Sequence, residues 1–428
     1  MLERLLALEA FGVKLGLHNI SRLCSALGHP ERTFTSIHVA GTNGKGSVTA
    51  MVHAGLVAAG LRAARFTSPH LVNLEERFVI GKDPVNSEAL RLVAGDVLDC
   101  ADSLRAAGEL AAHPTFFEAT TAIAFELFRR ANVEVAVVEV GLGGRYDSTN
   151  VITAPVGAIT SIGLDHQQYL GETIEAIAFE KAGIIKAGMD IVTGVLPDAA
   201  AEVIARVASA HGARLENAAE VARAVTSTGT DEVTIETPDD RYGPLTLGLR
   251  GQHQVNNALV AIRLLEALQR RGIHVTKAAI ERGLAEVEWP GRLELMELEG
   301  DRRLLLDAAH NADGARALAS YLRRRHPERP VLVFGVMRDK DVDGIIGALL
   351  PVVSSVITTA AHTPRALPAD ELATRIRTFA PAFDVATEPD PTAAVDRALS
   401  GAGTVCVAGS IFVIGAVRDH FKRRAILR

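Results

Sequence analysis

Short β-branched runs alternate with longer alanine- and leucine-rich stretches of helical period along most of the chain, a rhythm that predicts parallel sheets covered by helices. SIHVAG (36–41) reads as a strand ending in a glycine loop, and SVTAMVHAGLVAAG (47–60) as a helix stopped at Gly60. TFFEATTAIAFELFRRAN (115–132) is helical, and VEVAVVEVG (133–141) is a continuous apolar strand of the kind buried on both faces. APVGAITSIG adds another strand and TIEAIAFEKAGIIKAG another helix.

From about residue 220 the pattern changes. VTSTGTDEVTIETPDDRYGPLTLGL reads as short antiparallel strands around turns, and GQHQVNNALVAIRLLEALQRRG returns to a helix. EVEWPGRLE (286–294), with the single tryptophan and a Pro-Gly turn, is the expected domain boundary. Beyond it LLLDAAH, PVLVFGV, VSSVITTAA and TVCVAGS alternate with helices, which predicts a smaller Rossmann-like unit. The expected organisation is therefore an α/β protein: an N-terminal P-loop-type parallel-sheet domain over 1–288 and a Rossmann-like domain over 289–428.

At 428 residues the chain exceeds one ordinary core, in keeping with more than one domain. With 48% hydrophobic and 22% charged residues it has the composition of a globular protein. A net charge of -6, with the two signs interspersed, argues against a general nucleic-acid surface or a membrane anchor. Cys24, Cys100 and Cys406 are odd in number and far apart, so neither a disulfide framework nor a paired-cysteine metal site is expected. No apolar run approaches the ~20 residues of a membrane span, and the charged start MLERLLALEAFGVKLG is unlike a signal peptide. These features predict a cytoplasmic protein, and no oligomer seam is visible, so a monomer is expected.

The chemistry starts at AGTNGKGSV (40–48). Backbone amides that converge on a phosphate need glycines, the following helix adds a favourable dipole, a lysine bridges outer phosphates and a serine reaches a metal. The common phosphate loop has Gly, four residues, Gly-Lys-Ser/Thr, whereas here Ala40 stands five before Lys45, and Gly46 intervenes before Ser47. On spacing alone a packing turn is the competing reading.

In VVEVGLGGRYDSTN (137–150), Glu139 interrupts an apolar run; if buried, its carboxylate calls for a metal or a cation nearby, the competing reading being a half-buried alternating strand with Glu139 in water. In ITSIGLDHQQYLG, Asp165 and His166 follow a strand end. Fifteen residues later Ile174, Ile177, Ala178 and Lys181 share one helical stripe, so Lys181 lies on an apolar face. Such a lysine either snorkels its amine to water or keeps a depressed pKa that makes the amine chemically usable, and pattern alone leaves both open.

Taken together, GTNGKGS, SPHL (68–71), EVGLGGRYDSTN, TSIGLDH with EKAGI, QVNNA (254–258), PGR (290–292), DAAHN (307–311) and VAGSIF (407–412) resemble folylpolyglutamate synthase and dihydrofolate synthase of the Mur ligase superfamily. The resemblance runs in order over nearly the whole chain. It implies that Thr42, Asn43, Gly44, Lys45, Gly46 and Ser47 hold ATP phosphates. It also implies that Ser68 and Glu139 bind one Mg2+, that His166 binds a second, and that Lys181 is carbamylated. Asn257, Arg292 and Asp307 match ATP contacts, and His310 a catalytic position against glutamate or phosphate. Thr115, Phe116, Phe117, Glu118, Tyr146, Asp147 and Ser148 match the pterin site, where Phe117 would stack and Asp147 would accept hydrogen bonds. One departure is visible: Ala308 stands where the family commonly has glycine, which would strain a positive-φ turn.

The implied activity is ATP-dependent ligation of L-glutamate to dihydropteroate, to the glutamate tail of a reduced folate, or to both, through an acyl phosphate. A bifunctional enzyme is expected, with monofunctional folylpolyglutamate synthase as the alternative. A cell-wall Mur ligase would need a nucleotide-binding domain before the loop, and roughly 35 residues precede it. A non-catalytic ATP-gated binding protein is the remaining rival, against which the complete set of candidate residues speaks.

Overall fold

The computed structural model describes residues 2–12, 14–226 and 231–426. The chain divides into two compact units, residues 1–248 with 254–288, and residues 249–253 with 289–428. The split expected after residue 288 thus differs at Leu249–His253, five residues that the chain lends to the second unit before returning to the first.

In the first unit, β1 (Thr35–Ala40), β2 (Ala63–Phe66), β3 (Phe78–Ile80), β4 (Asp83–Pro84), β5 (Val135–Glu139), β6 (Val156–Ile159), β7 (Asp190–Thr193) and β8 (Arg214–Asn217) form one sheet. Its order is β4-β3-β2-β5-β1-β6-β7-β8. The six strands from β2 to β8 in that order are parallel, and the short β3 and β4 add an antiparallel edge that sequence pattern did not predict. β5 is buried at every position, as a strand covered by helices on both faces must be.

The helix Lys45–Ala58 packs against β2 and β5, and its Gly55 meets Gly283 of the helix Lys277–Glu286. A Cβ on Gly283 would lie 2.4 Å from the Gly55 nitrogen, so only glycine permits this approach.

The antiparallel reading from residue 220 corresponds to β9 (Arg223–Thr226), β10 (Glu232–Glu236) and β11 (Arg241–Thr246), a three-stranded sheet; part of the quoted stretch, 227–230, lies outside the described residues. Arg263, on the helix Gln252–Arg270, ties that sheet's surroundings together. Its buried guanidinium donates to Glu216 and Asp239 at 2.5 and 2.8 Å and also to Glu266, which accepts from Tyr242 and Thr237 in turn.

The second unit has a sheet of β12 (Glu294–Glu297), β13 (Arg303–Asp307), β14 (Val331–Phe334), β15 (Val356–Thr358), β16 (Val385–Thr387) and β17 (Thr404–Ala408), in the order β12-β13-β17-β14-β15-β16. All pairs are parallel except β12 with β13. The four strands predicted here are β13, β14, β15 and β17. β12 and the three-residue β16 are additions.

Candidate active site

The glycine loop leaves the carboxyl end of β1, the strand between β5 and β6, where ligands of open α/β sheets gather. Its shape is forced from both sides. Thr42 donates its amide to the Ser161 carbonyl at 2.8 Å, and Asn43 donates its amide to Ser161 Oγ at 2.9 Å. Thr160 and Ser161 hydroxyls donate to the Asn43 carbonyl at 2.6 and 2.9 Å. A Cβ on Gly41 would fall 2.0 Å from Thr160 Oγ1, so this position has room only for glycine.

Gly44, at φ 86°, then turns the chain into the helix, and no side chain caps that helix. Its first intrahelical bond runs from Val48 N to Gly44 O. An uncapped helix start after a glycine turn presents first-turn amides and a positive dipole end to an anion. Asn257 lies beside it, its Oδ1 2.6 Å from where a Gly44 Cβ would be.

Two lysines meet at this loop. Lys45 Nζ donates to the carbonyls of Gly41 and Thr42 at 2.9 and 3.2 Å, and Lys181 Nζ donates to the same Gly41 carbonyl at 2.9 Å. Lys181 does not snorkel: it is buried, and burial followed by the nearby Lys45 charge lowers its pKa to about 7. The helix Ile174–Ala182 that carries it is seated by GLGGR. A Cβ on Gly144 would lie 2.9 Å from the Glu180 and Lys181 carbonyls, and Arg145 N donates to Glu180 O at 2.8 Å.

Glu139, the last residue of β5, is buried and accepts the Ser68 amide at 3.2 Å. The structure therefore brings Ser68 and Glu139 together. His166 has a left-handed backbone at φ 51°, and its amide donates to Asp165 Oδ1 at 2.9 Å. Among the described residues no group of three or more His, Cys, Asp or Glu side chains is gathered for a metal. Hard oxygen donors without a complete protein cage suit Mg2+, which keeps waters and takes substrate phosphate oxygens as ligands.

The expected pterin residues divide. Thr115 and Glu118 form a capping box on the helix Phe116–Arg130: Thr115 N donates to Glu118 Oε2 at 2.7 Å and Glu118 N to Thr115 Oγ1 at 3.2 Å. Phe116 is in the core under the Arg77 guanidinium. Asp147 accepts from the amides of Leu142 and Thr149 and from the Thr149 hydroxyl, which binds both carboxylate oxygens inside its own loop. Ser148 is buried.

Thr115, Glu118 and Asp147 thus have backbone partners of their own within the capping box and the loop. Phe117 and Tyr146 keep exposed surface. The Phe117 ring lies over Gly141, where a Cβ would be 2.4 Å from it, and Tyr146 stacks on Arg145 at 4.4 Å.

In the second unit Asp307 ends β13 and accepts the amides of Leu293 and Ala309 at 2.9 and 3.0 Å, tying the turn that carries Arg292 to the strand. His310 Nδ1 is 2.8 Å from the Ala308 carbonyl. Ala308 does not have positive φ, so alanine costs nothing there, and Ala312 begins a helix capped by Asn311. Sequence reasoning missed Thr160 and Ser161 as loop-holding groups. Their signal, hydroxyls at the end of an apolar strand beside the loop strand, was present in TSIGLDH.

Comparison with known proteins agrees with this construction. The Mur ligase middle domain matches residues 39–265, and the Mur ligase glutamate ligase domain matches 291–411. Fold and loop together define an ATP-dependent, amide-forming ligase. A dihydrofolate synthase/folylpolyglutamate synthase of Mycobacterium tuberculosis is 39% identical over 95% of this chain and 90% of its own length. The crystal structure of Escherichia coli FolC in complex with DHPP and ADP superposes with a TM-score of 0.88 at 29% identity, covering 99% of this chain and 98% of that one. The bifunctional enzyme of Yersinia pestis complexed with AMPPNP and Mn ion has a TM-score of 0.85 at 29% identity, covering 98% and 97%. The chain belongs to the dihydrofolate synthase/folylpolyglutamate synthase family of Mur ligases.

Proposed function

We propose that the protein joins L-glutamate to the carboxylate of dihydropteroate and to the glutamate tail of reduced folates, with ATP and Mg2+ at two sites. The observation that carries this reading is the pair Lys45 and Lys181 converging on Gly41 at an uncapped helix start, in a chain of this family. The substrate carboxylate attacks the γ-phosphate of ATP, giving an acyl phosphate and ADP. The glutamate amine then attacks the acyl carbon, and phosphate leaves as the amide forms.

The first step spreads charge over phosphate oxygens, so the help required is electrostatic. Lys45 turns from the loop carbonyls to the outer phosphates, while the amides of Gly44, Gly46 and Ser47 hold the inner ones. Ser68 and Glu139 would hold one Mg2+ and His166 the second, and the bound metals would supply countercharge to the phosphates. A neutral Lys181 amine attacks carbon dioxide to give a carbamate and a proton, and its pKa near 7 supports a sizeable neutral fraction. Asn257, Arg292 and Asp307 complete ATP binding, and His310 serves the incoming glutamate. Phe117 stacks on the pterin with Tyr146 at its rim.

Among the described residues no helix is long and apolar enough to cross a membrane. Three free cysteines, two of them buried, fit a reducing compartment, and we assign the protein to the cytoplasm as a monomer. The test is one purified sample assayed with dihydropteroate and with tetrahydrofolate under ATP, Mg2+ and glutamate, products being identified by mass. Both should be glutamylated. Activity with tetrahydrofolate alone leaves a monofunctional enzyme, and no glutamate-dependent phosphate release with either overturns the proposal.

A further inference from the structure

Arg65 of β2 is paired in register with Val137 of the parallel β5, and Glu139 is two residues further along β5. Side chains two apart in a strand share a face, so Arg65 and Glu139 stand on the same side of the sheet. The helix Lys45–Ala58 covers that side, and its buried His53 brings Nδ1 to 3.3 Å from Arg65 Nη1. Glu139 is the negative charge acting on the Arg65 guanidinium, and it acts on the buried Arg77 as well. Glu139 is thus a buried carboxylate with cationic neighbours of its own, one of which has a second partner in His53.

We propose that Arg65 is a positioning residue for the metal site: it rests on His53, and its charge balances Glu139 while no cation is present and opposes a divalent cation that takes the carboxylate. This rests on the reading of Glu139 as a metal ligand. The physical reason is competition: a buried carboxylate needs countercharge, and a metal ion that claims it must displace the charge already there. Arg65 therefore stabilises the metal-free protein and weakens metal binding.

The experiment measures Mn2+ binding by electron paramagnetic resonance at saturating ADP, together with melting in metal-free buffer. Arg65→Met should bind Mn2+ roughly tenfold more tightly, as loss of one neighbouring positive charge implies, and melt lower than wild type until Mn2+ closes the gap. Arg65→Lys, which keeps the charge, should stay near wild type. Unchanged or weaker Mn2+ binding in Arg65→Met overturns the proposal. If Arg65→Met does not fold, the double variant Arg65→Met with Glu139→Gln must, because both members of the pair are then neutral; failure of the double variant also overturns it. Glu139→Gln alone separates the premises: Mn2+ binding unaffected by that change removes Glu139 as a ligand, whereas its loss with an indifferent Arg65→Met removes only the role of Arg65.

Discussion

The Gly41 carbonyl accepts hydrogen bonds from two lysine amines, Lys45 Nζ and Lys181 Nζ, both at 2.9 Å. Burial strips water from the Lys181 ammonium and the Lys45 charge beside it adds repulsion, so its pKa falls to about 7 from the usual 10.5. Between those values the unfolded chain binds more protons at this group than the folded protein does, so its contribution to stability rises with pH. Relative to Lys181→Met, the wild type should gain stability from pH 7 to 10 in urea titrations. A parallel pH dependence of the two would contradict the burial argument.

For the same amine, carbamylation predicts bicarbonate dependence. Protein freed of carbon dioxide should lose most of its activity and recover it when bicarbonate is added, and intact mass should show one carbon dioxide per chain at Lys181. Lys181→Ala should be at least ~100-fold slower, the scale of losing one electrostatic stabiliser in a closed site.

Lys45→Ala leaves the loop hydrogen bonds of Thr42 and Asn43 in place, so the fold should persist with unchanged circular dichroism. Glutamate-dependent phosphate release should fall ~100-fold or more. Turnover near that of wild type would show that the loop does not hold the reacting phosphates.

Thr115 and Phe117 separate cap from contact. Thr115→Ala should cost about 1 kcal/mol of stability, the usual value of a helix cap, with little change in KM for dihydropteroate. Phe117→Ala should raise that KM about tenfold, in line with an aromatic stack worth ~1 kcal/mol or more. The reverse pattern in steady-state kinetics would return Thr115 to the substrate.

Arg263→Met leaves Glu216 and Glu266 partly buried without their cation. Removing one partner of a buried ionic network typically costs about 3–5 kcal/mol. The loss should appear as a lowered urea midpoint, with ADP affinity retained at concentrations that keep the protein folded.

The long apolar strands and the glycine loop were legible because their signals are local: β5 is apolar at every position but its last, and GTNGKGS needs no distant partner to read as a turn into a helix. The grip of Thr160 and Ser161 on Asn43 was not, since it joins positions more than a hundred residues apart. β16, three residues of intermediate burial, is too short to show a period. Thr115-Phe-Phe-Glu118 carries a second, local signal: its first and last residues form the capping box of the helix Phe116–Arg130.

The excursion of Leu249–His253 has a consequence for the chain as a whole. The backbone passes between the two units three times, after residues 248, 253 and 288. A protease that severs any one crossing gives two fragments, at least one of which carries residues of both units, and a gene cut before residue 289 yields a second unit without Leu249 and His253, the latter's ring within reach of Gly251 beside Leu293. The two units are thus inherited as one piece: neither can be traded as a cassette without taking a fragment of the other.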